Sequence, residues 1–400
     1  MTRTLLAVVL VSFTLQTPAT DARGRLDAFL RGRVSAGDVP AVVAIVVDRH
    51  ATLYTGAFGQ ANVALNRPVA VDSIFRIASM TKPVTSLAAM MLYDEGRLRL
   101  DDPVAKYLPE FSKLRVITAW NEGTRSYDSR PPLRQITVRD LLTHTSGLAY
   151  SFEDARLAKL DDGRATEMDL PLLHDPGKAF TYGPSTAVLG RIVERICGEA
   201  LDAVFKTRIF DPLQMRDTFF AVPAGKRERV VTLHARAADG TLQESANPAA
   251  LSAPARGDGG LFSTAADYAR FMQVFLHGGR AGDVRLVKED TVRMMTSNQI
   301  GSLTIREQPS VNPALLKPFP IGAGKDAFGF GFAIAGSPAE PGLRSAGSLS
   351  WGGIFNTHFW IDPRRSIAAA VLMQVLPYYD PKALAVLRGF EREVYATLDH

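Results

Sequence analysis

FRIASMTKPVTSLAAMMLYDEGRLRLDDPVAKYLPEF, residues 75–111, is the stretch on which the reading of this 400-residue chain turns. Met80, Val84, Leu87, Ala88, Met91 and Leu92 recur at helical spacing, and Gly96 closes the run. Ser79 and Lys82 stand at i and i+3, so on a helix they share a face. Pro83 is costly inside a helix but tolerated in its first turn, which sets the helix start beside Ser79. A serine hydroxyl becomes a nucleophile when a neighbour takes its proton. Lysine can do so only when neutral, and burial or a nearby cation makes it neutral. The positive end of the helix dipole favours that neutral amine and stabilises an oxyanion. Ser-x-x-Lys alone is a weak signal, since about one copy is expected by chance in a chain of this length. The plain alternative is a capping serine beside a solvated lysine.

The flanking segments supply a sheet. GRLDAFLRGRVSAG (24–37) places Leu26, Phe29, Leu30 and Val34 on one helical face. VPAVVAIVVDRH (39–50) and TLYTGAFGQANV (52–63) are β-rich runs split at Arg49-His50-Ala51, a hairpin with a buried first strand. From about 100 to 255 the pattern changes to short helices joined by loops rich in Pro, Gly and Asp. FSTAADYARFMQVFLHGG (262–279) opens another helix, with Ser263 as its expected N-cap and Asp267 in its first turn. FGFGFAIAG (328–336), LRSAGSLSW (343–351), GIFNTHFWID (353–362) and SIAAAVLMQ (366–374) return to strands, and KALAVLRGFEREVYATL (382–398) closes the chain as a helix. The expected fold is α/β (α+β): an antiparallel sheet flanked by helices and built from both termini, residues 23–100 and 256–400, with a mostly helical domain inserted at 101–255.

Composition bounds the function. With 46% apolar and 22% charged residues the chain is globular and long enough to bury a large core. Its net charge of +5 is spread in mixed sign, without basic runs, RNA-recognition signatures or zinc-finger spacing, so no nucleic-acid partner is expected. The single cysteine, Cys197, cannot form an intrachain disulfide and falls in the apolar run VLGRIVERICGEAL, where it reads as a small core hydrophobe. MTRTLLAVVLVSFTLQTPATDA (1–22) has the form of a secretory signal: Arg3, an apolar stretch from Leu5 to Leu15, then small residues. It implies a periplasmic or secreted protein. Its apolar run of about eleven residues is too short to span a bilayer as an ordinary helix. Gly-x-Ser-x-Gly, His-Glu-x-x-His, Cys-x-x-Cys and a strand-linked Gly-x-Gly-x-x-Gly are absent, so no metal or cofactor is indicated.

The company of Ser79 and Lys82 is what raises their reading above chance. The opening stretch resembles the serine β-lactamase and penicillin-binding-protein superfamily, nearest to the branch holding AmpC-like enzymes and family VIII carboxylesterases. Further blocks agree in the family's order: ITVRDLLTHTSGL (136–148), FTYGPSTAVLGRIVE (180–194), IFDPLQMRDTFF (209–220), GGLFSTAADYARFM (259–272) and SLSWGGIFNTHFWIDP (348–363). The resemblance implies Ser79 as the acylated nucleophile, Lys82 as its activator and Tyr182 as a proton shuttle coupled to the lysine. It also implies an oxyanion hole from the backbone N–H groups of Ser79 and Ile354, and a structural place for His144.

Two departures bear on substrate. Where the family pattern has Tyr-x-Asn, this chain has Tyr182-Gly183-Pro184, which offers no side-chain amide. Where it has Lys-Thr-Gly, this chain has Trp351-Gly352-Gly353, which removes the cation that binds a β-lactam or peptide carboxylate. Trp351 supplies a flat apolar wall with one N–H donor, and the two glycines allow close approach of backbone to substrate. The expected activity is hydrolysis of a small-molecule carboxylic ester through an acyl-enzyme on Ser79. β-Lactamase or D-alanyl-D-alanine carboxypeptidase activity stands second, and acyl transfer is a variant. From another class, a non-catalytic sensor or scaffold on this fold has no need of Ser79, Lys82 and Tyr182 together. The loops at 116–135 and 300–327 are candidates for shaping the entrance.

Overall fold

The computed structural model describes residues 19–163, 166–319, 322–337 and 340–398. The leader expected over residues 1–22 lies outside them, except that its last positions open the helix Ala19–Ser35. Among the described residues, eight strands form one antiparallel sheet in the order Ala327–Phe328, Ala333–Ile334, Leu349–Gly353, Thr357–Asp362, Ile367–Leu372, Ala41–Asp48, Thr52–Asn62 and Arg67–Pro68. The two ends of the chain meet at its centre, where Val43 lies opposite Leu372 and Asp48 opposite Ile367. The sheet is thus built from both termini, and helices cover both faces.

The strand Ala41–Asp48 is apolar from Ala41 to Val47 because neither face meets water there. Val42, Ala44 and Val46 pack outward with Leu26 and Leu30 of the first helix and with Val386, Phe390 and Val394 of the last, Pro381–Leu398. Val43, Ile45 and Val47 turn the other way, into the large core shared with Phe271, Met272 and Phe275 of the helix Ala265–Leu276. A fully buried Val, Leu or Ile stabilises by roughly 1.5–3 kcal/mol relative to exposure. The neighbouring run Ala368-Ala369-Ala370 is fully buried, and its small side chains let helices sit close on both sides.

Two local expectations need correction. The cap of helix Ala265–Leu276 is Thr264, not Ser263: the Thr264 side chain accepts from the Asp267 N–H, the bond that satisfies an otherwise orphaned helix donor. The Ser263 hydroxyl is buried and bonds that of Thr218 instead. The run FGFGFAIAG is not one strand but two strands of two residues each. Its glycines serve close approach: a Cβ on Gly329 would stand 2.2 Å from the Met295 carbonyl oxygen, and one on Gly331, at φ +96°, 2.7 Å from Ser86 Oγ. Phe328, Phe330 and Phe332 are thereby pressed into the core.

Between 101 and 255 the chain holds the helices Val138–Leu142, Ala155–Leu160, Ser185–Cys197 and Leu201–Phe205. It also holds two hairpins, Val116–Asn121 with Ser126–Arg130, and Leu233–Arg236 with Leu242–Ser245. The second is tied to the C-terminal part through Val375–Leu376. Among the described residues no helix is long and apolar enough to cross a membrane.

What this architecture positions is the turn Ala78–Met80 at the head of helix Thr81–Asp94. Ala78 sits at φ 44°, a left-handed conformation that costs a non-glycine residue energy and persists only where neighbours enforce it. They do so from several elements. The Ile77 N–H donates to the Leu261 carbonyl at 3.0 Å, and the Tyr268 hydroxyl to the Met80 carbonyl at 3.0 Å. The Thr357 hydroxyl donates to the Ile77 carbonyl at 3.3 Å. Gly353 lies against the same carbonyl, where a Cβ would come within 2.2 Å of it. Gly353→Ala therefore forces backbone apart in a packed region; we expect a loss of about 1–3 kcal/mol, read as a lowered urea midpoint at unchanged slope.

Candidate active site

Ser79 and Lys82 are brought together by that turn. Lys82 is 1% exposed, and its Nζ lies 3.1 Å from Ser79 Oγ. Its two other bonds go to the Tyr150 hydroxyl at 3.1 Å and to the Asp258 carbonyl at 2.8 Å. Tyr182 meets the lysine differently: Nζ sits over its ring, 4.6 Å from the centroid. The Tyr182 hydroxyl lies beside Ser79 and accepts from Trp351 Nε1 at 3.4 Å.

Burial draws the Lys82 amine down to about 8; Asp258 and Glu153 oppose the shift, and Arg256 adds to it. Burial also pushes the Tyr182 phenol upward, against the bonds from Ser79 and Trp351. Tyr182 is therefore a phenol near neutral pH, a proton donor rather than a resting base. His144 is buried against Phe180, Tyr182 and Phe328, and desolvation lowers it to about 3, so it stays an uncharged packing residue.

Tyr150, Asp258 and Arg256 complete the arrangement. The Tyr150 hydroxyl donates to Asp258 Oδ2 at 2.7 Å. Arg256 donates to both carboxylate oxygens of Asp258, at 3.1 and 3.2 Å. Burial alone would raise the Asp258 carboxyl, but Lys82, Arg256 and Tyr150 outweigh it and hold it below the usual range. These bonds fix where the protons are. With its own hydrogen committed to a carboxylate, the Tyr150 oxygen can only accept, and the Asp258 carbonyl can only accept. A neutral Lys82 has two N–H bonds, and both are used. Its lone pair is left facing Ser79, so the serine must be the donor in that pair.

Local sequence explains the convergence. Gly183 has no room for a side chain: a Cβ would lie 2.3 Å from the Leu148 carbonyl oxygen. The Tyr182 and Tyr150 segments thus press together, with their rings 5.5 Å apart. Gly257 is similarly closed, 2.2 Å from the Thr186 carbonyl oxygen, and its own carbonyl accepts from Thr85 on the Ser79 helix at 2.6 Å. That wedge carries Asp258 to the lysine.

Ser79, Tyr182, Trp351, Gly352 and Ile354 line one cavity of about 190 Å³. Gly353 is not on its wall; the space of its missing side chain is filled by Ile77 and Thr357. A side chain on Gly352 would meet the Tyr378 hydroxyl at 2.6 Å and His358 Nδ1 at 2.8 Å. Gly353 therefore admits protein neighbours, where the sequence reading gave it to substrate, while Gly352 meets both protein neighbours and the cavity. The segment 300–327 contributes Leu316 and Phe319 to the wall, and Gln308 Oε1 accepts from the Tyr182 N–H at 3.0 Å.

Sequence reading missed Tyr150, Glu153, Arg256 and Asp258. Tyr150 stands two residues beyond the block ending at Leu148, and Asp258 one residue before the block opening at Gly259. The available signal was a polar residue flanking each block, with nothing in the linear order to say that the two meet.

The family model described as Beta-lactamase matches residues 26–388. Protein Rv1367c of Mycobacterium tuberculosis is 32% identical over 381 residues, covering 90% of this chain and 92% of that one. Esterase EstB of Burkholderia gladioli is 29% identical, covering 94% and 96%. The unliganded structure of simvastatin synthase from Aspergillus terreus superposes with a TM-score of 0.81 at 26% identity, covering 94% and 98%.

Two outcomes are expected. Phosphonylation of Ser79 by a fluorophosphonate probe, with loss of fluoride, rises with pH about tenfold per unit while Lys82 is protonated and levels off above about pH 8, because only the neutral amine accepts the proton. Asp258→Asn supplies an amide that can donate to Tyr150 and turn the phenol proton toward Lys82; the rate of probe attachment at pH 8 should fall about tenfold or more, with intact-mass kinetics as the readout.

Proposed function

The chain belongs to the beta-lactamase family, whose members include esterases and acyltransferases, and we propose that it is a serine hydrolase cleaving carboxylic esters through an acyl-enzyme on Ser79. The observation that carries this reading is the contact of Lys82 Nζ with Ser79 Oγ, made by an amine whose other two bonds leave it a single open direction.

Ser79 attacks the ester carbonyl as its proton passes to Lys82. The oxyanion is received by the backbone N–H groups of Ser79 and Ile354, which share the cavity wall; removing one such donor typically costs about 10²–10³ in rate. The C–O bond then breaks, and the departing alkoxide takes its proton from the Lys82 ammonium, with the adjacent Tyr182 phenol donating a hydrogen bond to the leaving oxygen. Water attacks the acyl-enzyme by the same path in reverse. Trp351 supports an ester over a β-lactam, since an indole N–H cannot replace an ammonium opposite a carboxylate. A second reading, acyl transfer to an alcohol in place of water, is supported by the likeness to simvastatin synthase.

Ser79→Ala should lower turnover of 4-nitrophenyl acetate by more than about 10³-fold. In the unaltered protein that ester should be cleaved while nitrocefin is not. Turnover surviving in Ser79→Ala would refute the assignment. Adding a primary alcohol separates the two readings: transfer yields the new ester, whereas hydrolysis yields the free acid alone.

A further inference from the structure

Glu153 stands out among the groups that the proposed mechanism leaves idle. It closes the short turn Ser151–Glu153 directly after Tyr150 and is 4% exposed. It lines the cavity that Ser79 lines, and neither carboxyl oxygen has a hydrogen-bond partner among the described residues. A buried carboxyl without partners costs free energy on the order of 1–3 kcal/mol. Burial holds Glu153 well above the usual carboxylate range, so the acid stays protonated until a cation beside it sends that proton to solvent. Such a cost at a reaction cavity calls for a group that arrives from outside.

The nearby cations are already engaged. Among the described residues Lys82 is the one cation that acts on Glu153 electrostatically, yet its three bonding directions go to Ser79, Tyr150 and Asp258. Arg256 is held by Asp258 and Glu167. Much of the rest of the wall is aromatic: Tyr150 and Phe152 stack with centroids 4.7 Å apart, and Tyr182 packs against Phe319 and Trp351. A carboxyl set among aromatic faces is the chemistry that recognises a cation, by charge and by the negative faces of the rings. The anion-binding lysine of the family pattern is meanwhile replaced by Trp351, so a carboxylate substrate finds a buried acid and no positive partner.

We propose that the cavity beside Ser79 receives an ammonium group on the substrate, with Glu153 as its counter-charge and the aromatic wall as its enclosure. The inference rests on the ester-cleaving reading and adds the substrate class: a short ester carrying a positively charged nitrogen a few bonds from the reacting carbonyl. Because Ser79 and Glu153 line one small cavity, a longer spacer would carry the nitrogen past the acid.

Matched pairs test this. Methyl β-alaninate against methyl butyrate places ammonium or methyl on the acyl side. Acetylcholine against 3,3-dimethylbutyl acetate does the same on the alcohol side. In at least one pair kcat/KM should favour the cation by about tenfold or more, and in that pair the preference should collapse in both Glu153→Gln and Glu153→Leu. A preference for the neutral member in both pairs, or a cation preference unmoved by both substitutions, would overturn the proposal. Acylation of Ser79 in the unaltered protein by 4-nitrophenyl acetate, read as a mass shift, reports on the hydrolase reading separately. If that adduct forms while the pairs show no cation preference, only the inference about Glu153 fails.

Discussion

Everything at this site depends on keeping one amine out of water. A lysine in solvent is protonated at neutral pH and useless as a base. Desolvation disfavours the charged form, and an interior that offered anions alone would restore it. Here the anion nearest Lys82 is not left to act alone. Asp258 is paired with Arg256 and bonded by Tyr150, and it presents to the lysine a carbonyl rather than its carboxylate. The amine is thus held by acceptors that fix its orientation, while the charge that would reprotonate it is offset nearby.

The fold follows from placing that amine. The lysine must lie deep, yet the serine one turn earlier must face a cavity. A helix beginning at the cavity floor satisfies both, and the left-handed Ala78 tilts the serine into place. Strands from the end of the chain, a helix from its middle and the glycines at 257, 331 and 353 crowd this turn and the first turns of the helix it opens. Ordinary side chains at those glycines would push the elements apart, so the positions that look weakest as secondary structure are those where packing is tightest.

Much of this was legible in sequence, and the limits have physical causes. The central hairpin shows in the apolar run 41–47 because a strand covered on both faces has no polar side to disguise it. Ser79 and Lys82 show because a helix sets them on one face, and Tyr182 because its block resembles a known pattern. Tyr150, Glu153 and Asp258 stayed hidden because their meaning is entirely tertiary: Tyr150 gains its role from a carboxylate 108 residues away. The phenylalanine–glycine run at 328–332 misled because its apolar pattern serves burial under a helix, a demand that periodicity does not separate from strand pairing. Ser263 and Thr264 are chemically equivalent as caps, and only backbone geometry chooses between them.

The pairing of Ala41–Asp48 with Ile367–Leu372 at the middle of the sheet also governs when reactivity can arise. A chain still emerging from the ribosome lacks the strand that completes the sheet, the glycine that seats the serine turn and the tryptophan beside the phenol. Its lysine would remain hydrated, charged and inert. Non-local closure of this kind is slow compared with helix formation, so reactivity at Ser79 waits for the late strand to join the early one.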